Sequence, residues 1–130
     1  MRIGIIELFV DDQDKALRFY TEALGFLVKT DAPYSDTARW LTVVSPEQQD
    51  GPELLLAPMT DAGRALQLSR QASGSPALSL ITDDCRGTVA ELRSRGVTFT
   101  REPELMAYGG VDAVFEDGCG NLLNLHLPAD

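Results

Sequence analysis

The stretch Val10–Phe26, VDDQDKALRFYTEALGF, contains the end of one strand, a complete helix and the start of the next strand. Asp11 and Asp12 follow an apolar run, where carboxylates can accept hydrogen bonds from the free N–H groups at a helix start. Apolar residues then recur at helical spacing, and Gly25 stands where a helix commonly ends in a left-handed residue. The stretch therefore predicts a helix over 12–24 between two strands.

The same plan returns at Thr82–Phe99, TDDCRGTVAELRSRGVTF. An Asp pair again precedes a segment with one apolar face, and Gly96 again precedes a β-branched and aromatic run, so a second helix is predicted over 84–95. Runs typical of three further strands follow each helix. The chain is therefore predicted to contain two copies of one structural unit.

The chain of 130 residues, 44% of them hydrophobic, can bury one real core but is too short for two conventional domains. We expect a single domain, 1–130, with internal symmetry. Its expected parts are module one at about 1–58, a linker at about 59–75 and module two at about 76–130.

The charge balance limits the classes of partner. The formal net charge is -9 and the sequence pI is about 4.4, with no basic cluster, so nucleic acid and anionic membranes are not expected as partners. No apolar run is long enough to cross a membrane, and we expect a cytoplasmic protein. Cys85 and Cys119 lack metal-ligand spacing and are expected to be free thiols.

Two predicted strands have a face of mixed character. Alternation in the first strand places Ile5, Glu7 and Phe9 on one side. In the last strand, Asn124 and His126, the only histidine, alternate with leucines. A face that mixes apolar and polar side chains is typical of a cavity lining.

Three motifs identify a known family. They are DQDKALRFY (12–20) with LGF (24–26), RWLTV (39–43), and the turn DGCGN (117–121). Together with the repeated order of elements, they resemble the vicinal oxygen chelate superfamily, which includes glyoxalase I, bleomycin-resistance proteins and extradiol dioxygenases. The resemblance covers essentially the whole chain. It implies an α+β fold of two βαβββ modules related by a pseudo-twofold axis, with curved mixed sheets around a shared cleft.

The resemblance also implies where metal-using members would hold an ion. Their four ligand positions, one on each of four strands, correspond here to Ile5, Glu53, Ala77 and Asn124. Isoleucine and alanine have no donor atom, and a neutral amide replaces the expected carboxylate, whereas a divalent ion usually needs three or more protein ligands. We therefore expect no metal and no other cofactor.

Three functions remain open. The first is a metal-independent small-molecule-binding protein of the bleomycin-resistance type that sequesters a cationic or amphipathic ligand. The second is a lyase, isomerase or dioxygenase that uses either a displaced metal site of Glu7, Glu53 and His126 or a Glu7/His126 acid–base pair. The third is a structural or regulatory dimer with a vestigial cleft. A homodimer is expected in each case, since family members commonly complete their clefts by pairing modules.

Glu7 and His126 are the candidate catalytic residues, and Glu7 is also the expected anchor for a cationic ligand. Arg39 is the only nearby candidate cation; it could bind an anionic ligand group, but packing beside Trp40 at the start of a strand is the favoured role. Phe9, Trp40 and Tyr108 are expected to supply stacking and cation–π contacts. The full set of candidate ligand-binding residues is Ile5, Glu7, Phe9, Arg39, Trp40, Glu53, Tyr108, Asn124 and His126.

Overall fold

The computed structural model describes residues 1–130 and contains eight strands and three helices. The second half of the first helix is a π-helical segment. In chain order the elements are β1 (Ile5–Val10), α1 (Gln13–Arg18, continued by the π-helical Phe19–Ala23), β2 (Leu27–Pro33), β3 (Arg39–Val44), β4 (Glu53–Pro58), α2 (Asp61–Ser73), β5 (Leu78–Ile81), α3 (Cys85–Ser94), β6 (Phe99–Leu105), β7 (Val111–Glu116) and β8 (Leu122–Leu127).

The strands form two separate four-stranded sheets with the same internal order. Sheet A is ordered β1-β4-β3-β2, and sheet B is ordered β5-β8-β7-β6. In each sheet the first strand pairs in parallel with the last one, and the remaining pairs are antiparallel. Each module is therefore βαβββ with a mixed sheet, as predicted, and the sheets are not closed.

The first and third helices begin where the Asp pairs predicted. The side chain of Asp12 accepts a hydrogen bond from the Lys15 amide, and that of Asp84 accepts one from the Gly87 amide. Gly25 has a positive φ of 75°, the backbone state that glycine adopts without a steric clash. Both predicted helices are confirmed, with ends that differ by one or two residues.

Two strands are longer than the sequence pattern predicted. The sequence pattern predicts a turn at 31–36 and a break at 103–106, but β2 continues to Pro33 and β6 passes through Pro103. Both are the outermost strands of their sheets, and both contain register shifts. A proline is tolerated there because an edge strand leaves one row of N–H groups unpaired.

The two modules share one hydrophobic core. A cluster of 18 buried residues includes Leu8 and Leu56 from sheet A and Phe115 and Leu125 from sheet B. The ring of Phe19 in the first helix lies 6.4 Å from the ring of Phe115. The modules therefore meet through the helix-covered faces of their sheets, and the opposite face of each sheet points away from this core.

A buried carboxylate joins the modules at the DGCGN turn. Asp117 is only 1% exposed and accepts hydrogen bonds from the Tyr20 hydroxyl (2.8 Å), from the backbone amides of Cys119 (2.7 Å) and Asn121 (3.0 Å), and from the Asn121 side chain (2.8 Å). Burial, together with the charge of Asp117, raises the pKa of Tyr20 well above its ordinary value, so the hydroxyl remains a donor.

Helix α2 occupies most of the segment that the sequence assigned to the linker, and it is attached to both modules. The side-chain amide of Gln67 donates to the carbonyls of Phe9 (2.8 Å) and Cys119 (3.0 Å). Asn121 donates to the same Phe9 carbonyl at 2.8 Å. One end of β1 is thus tied to the turn before β8.

Replacing Tyr20 with Phe should destabilise the chain, because the buried Asp117 loses a donor that water cannot replace. A hydrogen bond to a charged group contributes about 1.5–3 kcal/mol, and we expect a loss of that size in the unfolding free energy from urea titrations. Tyr34→Phe is the matched control, because Tyr34 is 61% exposed. Equal stability of the two variants would contradict the assigned role of Asp117.

Candidate functional site

We call the side of each sheet that faces away from the helices its open face. On sheet A, the strand register places Ile5 opposite Glu53 on this face, and Glu7 opposite Leu55. Ile5 is 48% exposed, and Glu7 is exposed and has no hydrogen-bond or ion-pair partner. Trp40, 40% exposed, lies on the same face of β3. This face therefore presents apolar and aromatic surface around one free carboxylate.

Glu53 is less available than Glu7. Its Oε1 atom accepts a hydrogen bond of 2.7 Å from the hydroxyl of Thr42, which is fully buried on the same face. The carboxylate is thus held against the sheet.

On sheet B, three polar side chains converge on the open face. The imidazole Nδ1 of His126 lies 2.7 Å from Oδ1 of Asp112, which is directly opposite it on β7. The Tyr108 hydroxyl donates to the same oxygen at 2.8 Å and lies 3.0 Å from the imidazole Nδ1. We call this group the Asp112–His126–Tyr108 cluster.

The cluster changes the acidity of two of its members. Partial burial raises the pKa of Asp112, but hydrogen bonds from His126 and Tyr108 outweigh that effect, and the net pKa is lowered. Desolvation and the hydrogen bond to Asp112 raise the pKa of Tyr108 to about 12. At neutral pH the cluster therefore contains an ionised carboxylate and a neutral phenol.

The sequence analysis missed Asp112, although a signal for it exists. The turn at 117–121 closes a hairpin in which Glu116 pairs with Leu122. Counting outward from that pair places Asp112 opposite His126.

Arg39 was a candidate ligand-binding residue, but it is not on an open face. Side chains alternate along β3, so Arg39 lies on the helix side of sheet A with Leu41 and Val43 of the shared core, one position out of phase with Trp40. It forms ion pairs with Asp14 (2.7 Å) and Asp31 (3.0 Å). The hydrogen bond to Asp14 is also the main reason that the pKa of Arg39 is raised.

Two other candidates have partners of their own. The ring of Phe9 is covered by α2, since a Cβ atom added at Gly63 would lie 2.4 Å from it. The side-chain amide of Asn124 donates to the Ser79 hydroxyl at 3.0 Å.

The open faces hold more charge than the sequence indicated. Glu7 and Glu53 are the carboxylates among the candidates from the sequence, and the register adds Asp112, Glu104 and Glu116 on sheet B. The same register also places one cation, Arg101, on this face, 3.3 Å from Glu104.

The residues do not fit the ion of the metal-using family members. Ile5 and Ala77 offer no donor, Asn124 is engaged with Ser79, and no group of three or more His, Cys, Asp or Glu residues could hold a metal. No hydrogen bond or ion pair joins Glu7 to His126 within the chain.

A cavity of about 550 Å³ lies at the other end of the open face of sheet B, beside the end of α2. Its lining is mostly polar. The lining includes Gln71, Arg101, Val114, Glu116, Asn121 and Leu122.

Comparison with known proteins agrees with this geometry. The model of the Glyoxalase/Bleomycin resistance protein/Dioxygenase superfamily matches residues 2–125. The chain belongs to that superfamily. The uncharacterised protein YurT of Bacillus subtilis (strain 168) is 44% identical over 126 residues, which cover 96% of this chain and 98% of YurT.

Solved structures of the superfamily resemble the whole chain. UcmS2 is 32% identical, with a TM-score of 0.82 and coverage of 97% of both chains. TnmS3, described as an antibiotic binding protein from Streptomyces sp. CB03234, is 30% identical, with a TM-score of 0.79 and coverage of 99% of this chain and 97% of its own. In this superfamily member, no helix is long and apolar enough to span a membrane.

The Asp112–His126–Tyr108 cluster should give the stability of the protein a distinct acid dependence. Because the pKa of Asp112 is lowered on folding, its contribution is complete above its ordinary pKa of 3.8 and is lost as the pH falls through the lowered value. The difference in unfolding free energy between wild type and Asp112→Asn should therefore be smaller at about pH 3 than at about pH 6. A difference that does not change with pH would contradict the lowered pKa.

The control for this measurement is Asp36→Asn. Asp36 is exposed and has no side-chain partner. Its substitution should change stability little, and by a similar amount at both pH values.

Proposed function

We propose that the protein is a cytoplasmic binding protein that holds a cationic or amphipathic small molecule on its open faces without a metal. The observation that carries the proposal is the composition of those faces. Exposed Ile5, Trp40 and Tyr108 lie beside carboxylates, and the residues at the family's metal positions cannot hold an ion. Apolar surface with a few fixed polar groups is typical of small-molecule sites.

The comparison with TnmS3 supports this function. That protein shares the fold over nearly its whole length at 30% identity and is described as antibiotic binding. Its description supports small-molecule binding as the activity, without indicating the compound that this chain binds.

Charge favours a cation. The open faces hold five carboxylates against Arg101, which is itself paired with Glu104, and the formal net charge of the chain is -9. Glu7 is the free carboxylate closest in register to the apolar surface of sheet A. We propose Glu7 as the charged anchor, with Trp40 supplying a cation–π contact of about 0.5–2 kcal/mol.

We further propose that two chains complete the binding cleft. Within one chain the modules meet through their helix sides, so each open face lacks a cover. Strands β1 and β5 are unpaired edges that carry exposed isoleucines, such as Ile3 next to β1 (72%) and Ile81 on β5 (70%). Pairing of such edges between chains would bury this apolar surface.

Binding is tested by thermal shift and calorimetry with a cationic aromatic amphiphile, benzyltrimethylammonium, as the probe. At 100 times its Kd, a bound probe should stabilise the protein by about 2.7 kcal/mol. Glu7→Gln keeps the shape of the side chain and removes its charge, so the affinity of the variant for the probe should fall. Binding of the probe by the variant should also depend less on salt than binding by the wild type does. Prior dialysis against a chelator should leave the affinity unchanged.

The matched control is Glu22→Gln, which removes an exposed carboxylate from the first helix. It should bind the probe as the wild type does. Equal affinity of Glu7→Gln and wild type, tighter binding of the anionic analogue benzylphosphonate, or loss of binding after chelation would each contradict the proposal.

Light scattering at micromolar concentration tests the dimer. The wild type should have about twice the chain mass of 14.1 kDa. Ile81→Glu should lower the mass toward that of one chain, because it places a charge on the exposed edge of β5. Leu68→Glu, on α2, is the control for the loss of an exposed apolar residue. A wild-type mass near 14.1 kDa would show that this proposal is wrong.

A further inference from the structure

The position of one proton in the Asp112–His126–Tyr108 cluster follows from its geometry. Nδ1 of His126 and Oδ1 of Asp112 are 2.7 Å apart, a distance at which two lone pairs would repel each other unless a proton lies between them. The Asp112 carboxyl is ionised at neutral pH, because its pKa is lowered. In the neutral form of the imidazole the proton is therefore on Nδ1, and the lone pair is on Nε2.

That lone pair is free. No hydrogen bond joins Nε2 to another residue, and Nε2 is not among the buried atoms without partners. The Tyr108 hydroxyl donates to Asp112 and does not occupy Nε2. The imidazole is partly exposed on the open face, so a bound molecule can reach this atom.

The surroundings of the imidazole include apolar and aromatic side chains. The register partner of His126 on β5 is Ile81, 70% exposed, and the half-exposed ring of Tyr108 lies 5.7 Å from the imidazole. Ile81 and the Tyr108 ring offer a surface on which an aromatic ring can stack.

The charged and titratable groups near the imidazole are few. Two further charged groups lie near Asp112 and Tyr108. The register places Glu104 of β6 opposite Asp112, and Arg101 forms an ion pair with Glu104. The thiol of Cys85 lies on the other side of β8, 3.9 Å from the Leu125 carbonyl, and burial raises its pKa. The only fixed charge in contact with the imidazole is therefore the carboxylate of Asp112.

We propose that His126 removes the proton from the phenolic hydroxyl of an aromatic ligand bound on the open face of sheet B. The O–H bond breaks, the proton forms an N–H bond at Nε2, and the electron pair stays on the ligand oxygen as phenolate. The resulting imidazolium donates through Nδ1 to Asp112. The step consumes no oxidant and no co-reactant.

Charge balance favours this step in an acidic protein. A free phenolate would be repelled by the open-face carboxylates, but phenolate and imidazolium form together and add no net charge. Asp112 acts as a positioning residue, because it keeps the proton on Nδ1 and stabilises the imidazolium. The inference rests on the proposed binding function and adds to it the chemical group that the ligand presents to sheet B.

Absorption spectroscopy with 4-nitrophenol as the probe tests the proposal, since its phenolate absorbs at longer wavelength than the phenol. At neutral pH, where the free probe is only partly ionised, saturating wild-type protein should raise the phenolate fraction of the bound probe. His126→Gln should abolish that signal, and Asp112→Asn should weaken probe binding about tenfold and lower the phenolate fraction. The O-methylated analogue 4-nitroanisole, which has no acidic proton, should show no such change.

Asp36→Asn serves as the matched control for Asp112→Asn and should behave as wild type. A second measurement covers the case in which His126→Gln does not fold. Because His126 is the only histidine, labelling histidine with ¹⁵N gives one imidazole, and saturation with 4-nitrophenol should move its Nε2 resonance to the protonated position.

Three outcomes would overturn the proposal. They are no saturable binding of 4-nitrophenol, binding of the probe as neutral phenol only, and a phenolate signal that persists in folded His126→Gln. Failure of the binding function is distinguishable from these outcomes, because benzyltrimethylammonium would then also fail to bind in a Glu7-dependent way.

Discussion

The buried carboxylate of Asp117 is the interaction on which the arrangement of the two modules depends. An ionised carboxylate is expensive to bury without partners, and here its two oxygens accept four hydrogen bonds. One donor, Tyr20, belongs to module one, and the others belong to the turn of module two. Gly118 and Gly120, with φ of 74° and 100°, let the turn present its amides. The same turn starts β8 and so sets the register that places His126 opposite Asp112.

The position of the shared core explains why both open faces are available for binding. Each sheet has one apolar face to cover, and the helices and the other module cover it. The remaining faces are not the polar surfaces that an antiparallel sheet commonly shows to water. Ile5, Trp40 and Ile81 are large, apolar and exposed there. Such a surface indicates a ligand or a protein partner.

Most of the fold could be predicted because its signals are local. The Asp pairs, Gly25 and Gly96 mark helix ends through hydrogen bonds within a few residues, and period 2 assigned Glu7 and His126 to the correct faces. The errors came from non-local effects. The side of the sheet on which Arg39 lies depends on a one-residue phase in β3 and on ion pairs with Asp14 and Asp31.

The other differences between the predicted and the observed structure also come from non-local effects. Pro33 and Pro103 lie inside strands, which is acceptable because β2 and β6 are edge strands, a property of the assembled sheet. Phe9 is covered by α2, a helix in the segment that the sequence assigned to the linker. The place of Asp112 depends on the pairing of two strands across the hairpin closed by the turn at 117–121. The sequence therefore shows the residue types of a site more readily than its geometry.

The chemistry available to one chain depends on whether the residues of a site lie on one sheet or on both. A metal site built from Glu7, Glu53 and His126, or an acid–base pair of Glu7 and His126, draws on both sheets, whose open faces point away from the core that joins them. Either would require a second chain to bring the groups together. The Asp112–His126–Tyr108 cluster lies entirely on sheet B, in register positions set by one hairpin and the loop before it. Its proton chemistry is therefore complete within a single module, whereas enclosure of the ligand depends on what covers the open face.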